Sequence, residues 1–270
     1  MSSRAVPDIL ARIVYATRSR LKASPQNRQT LEQKAKARVT GRPFRFREAL
    51  KGGRTGGVRV IAEIKSASPS AGEIVGNPDV GAIARGYRDG GAAAISVVVE
   101  EQFFKGSRVW LEAAGAASGL PVIMKDFVID ADQIYDGIAC GADAILLLAS
   151  LLDSNQIREF TRILEDHGRD ALVEVHDEDE LDRTLEARAK LIGVNNRNLR
   201  DFSVDLSTSE RLGRMIPDSA IRVAESGITG PADIARLRSA GFDAFLVGES
   251  LLRQKDHAEA VRELVAMRNE

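Results

Sequence analysis

GADAILLLA, residues 141–149, sets a glycine before a small and an acidic residue, then an alanine and an unbroken apolar run. The same order recurs, with a small residue or an acid in the third place, in GGAAAISV (90–97) and GFDAFLVG (241–248). Such a glycine ends a helix in the left-handed conformation and feeds the chain directly into a strand. The apolar run does not alternate, which is the pattern of a parallel strand covered on both faces. Comparable runs lie at VRVIAEIK (58–65), AAAISVVV (92–99), PVIMK (121–125), ALVEV (171–175), KLIGVN (190–195), AIRVAES (220–226) and DAFLVGE (243–249). Between them, SNQIREFTRILEDHG (154–168) and GPADIARLRSAG (230–241) carry helical spacing. Eight strands alternating with helices predict an α/β chain folded as a (β/α)8 TIM barrel. The alternative is an eight-stranded doubly wound sheet, but no GxGxxG turn follows the first strand.

The N-terminal part reads differently. PDILARIVYATRSRL starts at Pro7, a favourable first helical residue, and sets Ile9, Leu10, Ile13, Val14 and Leu21 near one stripe. A second helix is expected from Thr30 to Val39, and FREAL (46–50) forms a third turn before GGRTGG (52–57). These pieces are too short to bury a core alone. Residues 1–57 therefore read as a helical extension packed on a barrel of residues 58–270, within a single domain, 1–270.

Composition excludes several function classes. The chain has 270 residues, 44% hydrophobic and 29% charged, which gives ample material for a core. Its net charge is −1, yet the first sixty residues gather most of the local positive excess. A nucleic-acid arm would need stacking aromatics, and only Tyr15, Phe44 and Phe46 are there, so a solvated face that steers an anionic substrate is the reading. The single Cys140 forms no internal disulfide. The first twenty residues lack a continuous apolar core, and AILLLASLL (144–152) is far short of a membrane span. The expectation is a cytoplasmic protein with no nucleic-acid or membrane partner. His167, His176 and His257 are scattered, so no metal centre is expected, and His176 reads as a loop histidine. Nucleotide-cofactor loops are missing as well, so no cofactor is expected.

The first strand carries an anomaly that points to chemistry. In VIAEIKSASPSAG (60–72), Glu63 and Lys65 share one face while Val60, Ala62 and Ile64 take the other. Burying an ion costs on the order of several kcal/mol even after relaxation, so a charged pair inside a strand needs a reason. Barrel active sites lie at the C-terminal ends of the strands. Those ends carry Glu63 and Lys65, Lys125, Glu174, Asn195, Glu225-Ser226-Gly227 and Gly248-Glu249-Ser250. Lys65 and Lys125 thus converge on one rim with the carboxylates of Glu63, Glu174 and Glu225. The ESG and GES endings offer hydroxyls and glycine amides to a phosphate. Such a site works by acid–base chemistry or through a Schiff-base lysine.

Taken in order, IAEIKSASPS, AAAISVVVEEQFFKGS, PVIMKDF, LVEVH, LIGVNNRNL, VAESGI and FLVGESL resemble the indole-3-glycerol-phosphate synthase family of tryptophan biosynthesis. The resemblance covers essentially the whole barrel and is looser over the N-terminal helices. It implies a phosphorylated small-molecule substrate, 1-(2-carboxyphenylamino)-1-deoxyribulose 5-phosphate, closed to indole-3-glycerol phosphate with loss of carbon dioxide and water. By motif position, Lys125 would be the general acid and Glu174 the base for dehydration, with Asn195 beside it. Lys65 would bind anionic substrate and donate to the departing hydroxyl, Glu63 would hold the lysines, and Glu225 would complete the catalytic polar network. Ser68, Ser226, Gly227, Gly248 and Ser250 map to the phosphate side, and Phe104 and Arg197 to the anthranilate end. Ring closure builds alkoxide character on a carbonyl oxygen, which a nearby ammonium stabilises. A crowded or desolvated lysine is expected to be the better acid, tempered by a carboxylate. The chain departs from the family at Val99 for threonine, at Arg188 for a glycine, and in a loop after Ser70 that opens with Ala71 and is about one residue short. A monomer is expected, with a complex with other tryptophan-pathway enzymes as the alternative. The rival readings are another phosphate-binding barrel enzyme, such as a Schiff-base aldolase or sugar-phosphate isomerase, and a non-catalytic barrel that binds phosphometabolites.

Overall fold

The computed structural model describes residues 8–38 and 43–266. The eight expected strands are present: β1 (Val60–Ile64), β2 (Ala94–Val98), β3 (Val122–Lys125), β4 (Ala144–Leu148), β5 (Asp170–Val175), β6 (Leu191–Asn195), β7 (Ile221–Glu225) and β8 (Ala244–Val247). Each pairs in parallel with its neighbour in the chain, and β8 pairs back onto β1, so the sheet is closed and the open-sheet alternative is excluded. Three helices precede the barrel: α1 (Asp8–Ala23), α2 (Arg28–Ala37) and α3 (Arg45–Leu50). The others are α4 (Val80–Asp89), α5 (Val109–Ser118), α6 (Ala131–Ala139), α7 (Ser154–Asp166), α8 (Glu178–Glu186), α9 (Ser207–Gly213), α10 (Pro231–Ser239), α11 (Glu249–Leu252) and α12 (His257–Val265).

The repeated glycine works as its position predicts. Gly91, Gly141 and Gly241 have φ of 93°, 98° and 89°, a conformation that costs a residue with a Cβ about 1–2 kcal/mol. The acid that follows in two of the repeats has its own task. Asp143 Oδ2 accepts the N–H of Val122 at 3.0 Å, and Asp243 Oδ2 accepts that of Arg222 at 2.8 Å. Each acid thereby secures the start of the preceding strand.

Two apolar clusters follow from strand alternation. Val60, Ala62 and Ile64 face the helices with the outer cluster, while Ile61, Ala94, Ile123, Leu172, Leu191 and Val223 fill the lumen. Phe46 and Leu50 of α3 belong to the lumen cluster and plug its lower end. Arginines of the same segment bind acids at the strand starts: Arg45 to Asp143 (3.7 Å), Arg47 to Asp170 (2.5 Å) and Arg54 to Asp243 (2.7 Å). Part of the N-terminal basic excess thus holds the extension onto the barrel.

The extension differs from its sequence reading in its details. Helix α2 begins two residues before Thr30, because Asn27 caps it by accepting the Thr30 N–H at 3.1 Å. Pro7 and Val39 lie outside the described residues. Leu10 and Ile13 are buried, as the stripe suggests, and Arg20 at the far end of α1 lies 3.6 Å from Asp126 just past β3. A two-residue antiparallel ribbon, Ala67–Ser68 against Gly72–Glu73, follows β1 and was not anticipated.

Arg188 occupies the left-handed region at φ 61°, ahead of β6, with an exposed side chain. Arg188→Gly is expected to remove that strain, offset in part by greater freedom of the unfolded chain. A net gain of about 0.5–1 kcal/mol and a rise in Tm of about 2 °C are expected by calorimetry.

Candidate active site

Residues two apart on a strand share a face, so the apolar lumen gives way to an ionic tier within one alternation. Above Ile61 comes Glu63, above Ile123 Lys125, above Leu172 Glu174, and above Val223 Glu225. Lys125 Nζ is the centre of this tier. It donates to Glu225 Oε2 at 2.8 Å and lies 3.7 Å from Glu174 Oε2 and 3.8 Å from Glu63 Oε2. Glu63 also accepts from Lys65 Nζ at 2.7 Å through Oε1, so one carboxylate joins both lysines. Asn195 Nδ2 donates to Glu174 Oε1 at 3.0 Å.

Glycines make room for these carboxylates. A Cβ on Gly193 would stand 2.1 Å from Glu225 Oε1, and one on Gly248 would stand 2.6 Å from Glu63 Oε1. Gly248 therefore seats Glu63, a role separate from the phosphate contact its motif suggested.

Burial opposes every charge here, and the outcome depends on the company each group keeps. For Lys125 burial disfavours the ammonium, but Glu225, Glu63 and Glu174 outweigh it and raise its pKa. This corrects the expectation of an ammonium weakened by its surroundings: three carboxylates hold the proton more tightly than water does. Burial raises Glu63, but Lys65 and Lys125 overcome it and its pKa falls. Glu174 is likewise lowered, by Lys125, then His176 and Asn195, against burial. Glu225 goes the other way: burial, joined by the charge of Glu174, outweighs Lys125 and pushes it up to about 7. Its Oε1 is buried without a hydrogen-bond partner. Of the three carboxylates, Glu225 is the one that takes up a proton near neutral pH.

Above this tier a cavity of about 690 Å³ opens. It is lined by Glu63, Lys65, Lys125, Glu174 and Asn195, and by Ser68, Phe104, Arg197, Ser226, Gly227, Gly248 and Ser250. Glu225 is not on its wall; it lies beneath, at 1% exposure, reaching the cavity only through Lys125 and Glu174. Ser226 and Gly227 make a left-handed turn after β7, with φ of 64° and 80°. Ser250 Oγ, at the start of α11, donates to the carbonyl of Ile228 in the same turn region at 3.3 Å. At the opposite side, the Phe104 ring packs on Phe127 at 5.9 Å between centroids. Arg197 is oriented by its Nη1 donating to the Phe202 carbonyl at 3.1 Å.

Several contributors escaped sequence reasoning. Ile9, Leu10 and Ile13 of α1 form part of the cavity wall, so the extension covers the mouth as well as the base. Asn196 Nδ2 donates to the carbonyls of Glu225 and Ser226 at 3.0 and 3.1 Å, and its Oδ1 accepts from the Ser209 N–H at 3.0 Å. It pins the β6 and β7 loops together; the consecutive asparagines at a strand end were the available signal. His176 is no ordinary loop histidine, because its Nε2 lies 3.3 Å from Glu174 Oε1. The loop after Ser70 is tied down, with Ile74 and Val75 N–H groups on the Ser66 carbonyl and Glu73 paired to Lys105 at 2.7 Å. Val99 is buried among apolar side chains, where a hydroxyl would need a partner. Among the described residues no cluster of His, Cys, Asp or Glu could hold a metal ion.

A family model described as indole-3-glycerol phosphate synthase matches residues 10–264. Indole-3-glycerol phosphate synthase 2 of Ralstonia nicotianae is 47% identical over 238 residues, covering 88% of each chain. The indole-3-glycerol phosphate synthase of Chlorobium chlorochromatii is 50% identical over 209 residues, 77% of this chain and 81% of its own. That of Azospirillum brasilense is 43% identical over 263 residues, 96% of this chain and 99% of its own. Among solved structures, a 3-hexulose-6-phosphate synthase superposes with a TM-score of 0.58 at 17% identity, over 77% of this chain and 99% of that one. A thiamine phosphate pyrophosphorylase from Pyrococcus furiosus gives 0.57 at 16%, over 77% and 93%. These two likenesses show the fold alone.

The raised Glu225 carboxyl couples the stability of the fold to pH. Its pKa is about 7 in the fold, against an ordinary carboxylate in the unfolded chain, so the folded state binds the extra proton between those values. That contribution is full in acid and is lost as pH rises through about 7. Urea unfolding is expected to show wild-type stability falling between pH 5 and 8 more steeply than in Glu225→Gln, by on the order of 3 kcal/mol. Glu63 and Glu174, with lowered values, act at lower pH and with the opposite sign.

Proposed function

Because this chain belongs to the indole-3-glycerol phosphate synthase family, we propose that its ionic tier closes the indole ring of 1-(2-carboxyphenylamino)-1-deoxyribulose 5-phosphate, with loss of carbon dioxide and water. The observation that carries the assignment of roles is the position of Lys125 Nζ between three carboxylates, one of them shared with Lys65. Lys125 donates its proton to the ribulose carbonyl oxygen as the ring carbon attacks. An alkoxide is far more basic than an amine and still draws a proton from a firmly held ammonium. Decarboxylation then restores the aromatic ring, with electrons drained into the ring system of the substrate. Lys65 protonates the departing hydroxyl, and Glu174, steadied by Asn195, removes the proton whose loss forms the new double bond. Two protons are given and one is taken back; the one consumed is that required when a carboxylate leaves as carbon dioxide.

Glu63 keeps both lysines at one side of the reacting carbon, and Glu225 buffers the proton of the tier from below. Ser226, Gly227, Gly248 and Ser250 hold the phosphate, with Ser68 across from them, and Phe104 and Arg197 face the anthranilate end. A Schiff-base aldolase is disfavoured on this reading, since imine formation needs a neutral amine and Lys125 is held charged. A cytoplasmic monomer is the setting proposed, in keeping with a family of biosynthetic enzymes that act on a small phosphorylated substrate.

Fluorescence of the indole product measures turnover directly. Lys125→Met is expected to lower kcat by about 10²–10⁴-fold while substrate still binds, and appreciable residual turnover would assign the acid elsewhere. Absence of product from folded wild-type protein at saturating substrate would remove the proposed activity.

A further inference from the structure

His176 has no part in the reaction as just described, yet its ring is tightly enclosed. Its backbone N–H donates to Glu180 Oε2 at 2.8 Å, and ring Nδ1 lies 3.0 Å from the same oxygen. Glu180 is itself fixed in the first turn of α8, where its N–H donates to Asp177 Oδ1 at 3.0 Å. On the far side of the ring, Nε2 is buried without a hydrogen-bond partner, 3.3 Å from Glu174 Oε1. The charged groups facing the ring are Glu174 on β5, Glu180 on α8 and Glu225 on β7, with Lys125 of β3 beyond Glu174.

We propose that His176, held as an imidazolium by Glu180, is a positioning residue that keeps Glu174 ionised. The proposal rests on the reading of Glu174 as the base. A buried carboxylate next to another one tends to take up a proton and would then be useless as a base. Lys125 lowers Glu174 most but also serves Glu225 and Glu63, and His176 adds a second positive charge beside Glu174. With Nε2 3.3 Å from Glu174 Oε1, the imidazolium places that second charge beside the oxygen that Asn195 already orients. The electrostatics agree: burial disfavours the imidazolium, but Glu180, Glu174 and Glu225 outweigh it and raise the His176 pKa. The two acids around one imidazole also fix its orientation, since Nδ1 is committed to Glu180.

The test is kcat against pH for wild type, His176→Gln and Glu180→Gln, with ring titration by NMR. The chain has three histidines, so the His176 signals are assigned as those retained in both His167→Gln and His257→Gln. In the wild type the ring is expected to titrate above the ordinary histidine value, and in Glu180→Gln below its wild-type value. The acid limb of kcat is expected to move up by about one pH unit in His176→Gln, and in the same direction by less in Glu180→Gln. An unmoved limb, or a wild-type ring that titrates below ordinary histidine, overturns the proposal; the ring titration decides it even where His176→Gln fails to fold. Glu174→Gln tests the underlying reading separately. Retained turnover there removes the base itself, whereas an inactive Glu174→Gln with an unmoved limb in His176→Gln removes only the role of His176.

Discussion

One ammonium among three buried carboxylates is the constraint around which the upper half of this barrel is arranged. Its carboxylates hold the Lys125 proton firmly, while burial beside Glu174 lets Glu225 take up a proton as pH falls through about 7 and Glu63 and Glu174 stay ionised. Such a cluster would be costly in an ordinary core, where replacing ions with apolar groups is often neutral or stabilising. Here the desolvation is offset by mutual attraction, by Asn195, and by glycines that let the carboxylates approach the neighbouring strands. The cluster holds protons at set positions around a cavity, which is what a reaction that gives and retrieves protons requires.

The N-terminal helices close the barrel at both ends. Below, Phe46 and Leu50 fill the lumen while Arg45, Arg47 and Arg54 bind acids at the strand starts. Above, Ile9, Leu10 and Ile13 bring apolar surface to a cavity whose floor is charged. The cavity is therefore amphipathic from floor to roof, matching a substrate with an aromatic acid at one end and a phosphorylated chain at the other. The roof also sets apolar side chains above the tier, a surrounding in which charges are screened less than in open water.

Most of the architecture was legible because its signals are local. An apolar run without alternation needs cover on both faces, and a glycine at a helix end marks the entry to a strand. The face on which Glu63, Lys125, Glu174 and Glu225 lie was legible for the same reason, since alternation within one strand depends on no other element. The extension was less so: the start of α2 hinges on a single capping side chain, Asn27, and the ribbon after β1 on two residues each side. Nor could residue order reveal that α1 lies over the mouth, because the stripe on α1 says which face is buried and not against what.

What the amino-acid order determined by itself was the strand count, their parallel arrangement, and the rim on which charges and phosphate-type turns would gather. What only the tertiary structure decided was distance and rank. Glu225 lies under the cavity and not on it, Gly248 makes space for Glu63, Asn196 ties two loops, and His176 stands between two carboxylates. The sign of the effect on Lys125 likewise emerged only from the fold, and went against the sequence expectation. Charge state in a buried cluster depends on interactions that fall off with separation, and those separations are set by closing the barrel, bringing together residues far apart along the chain.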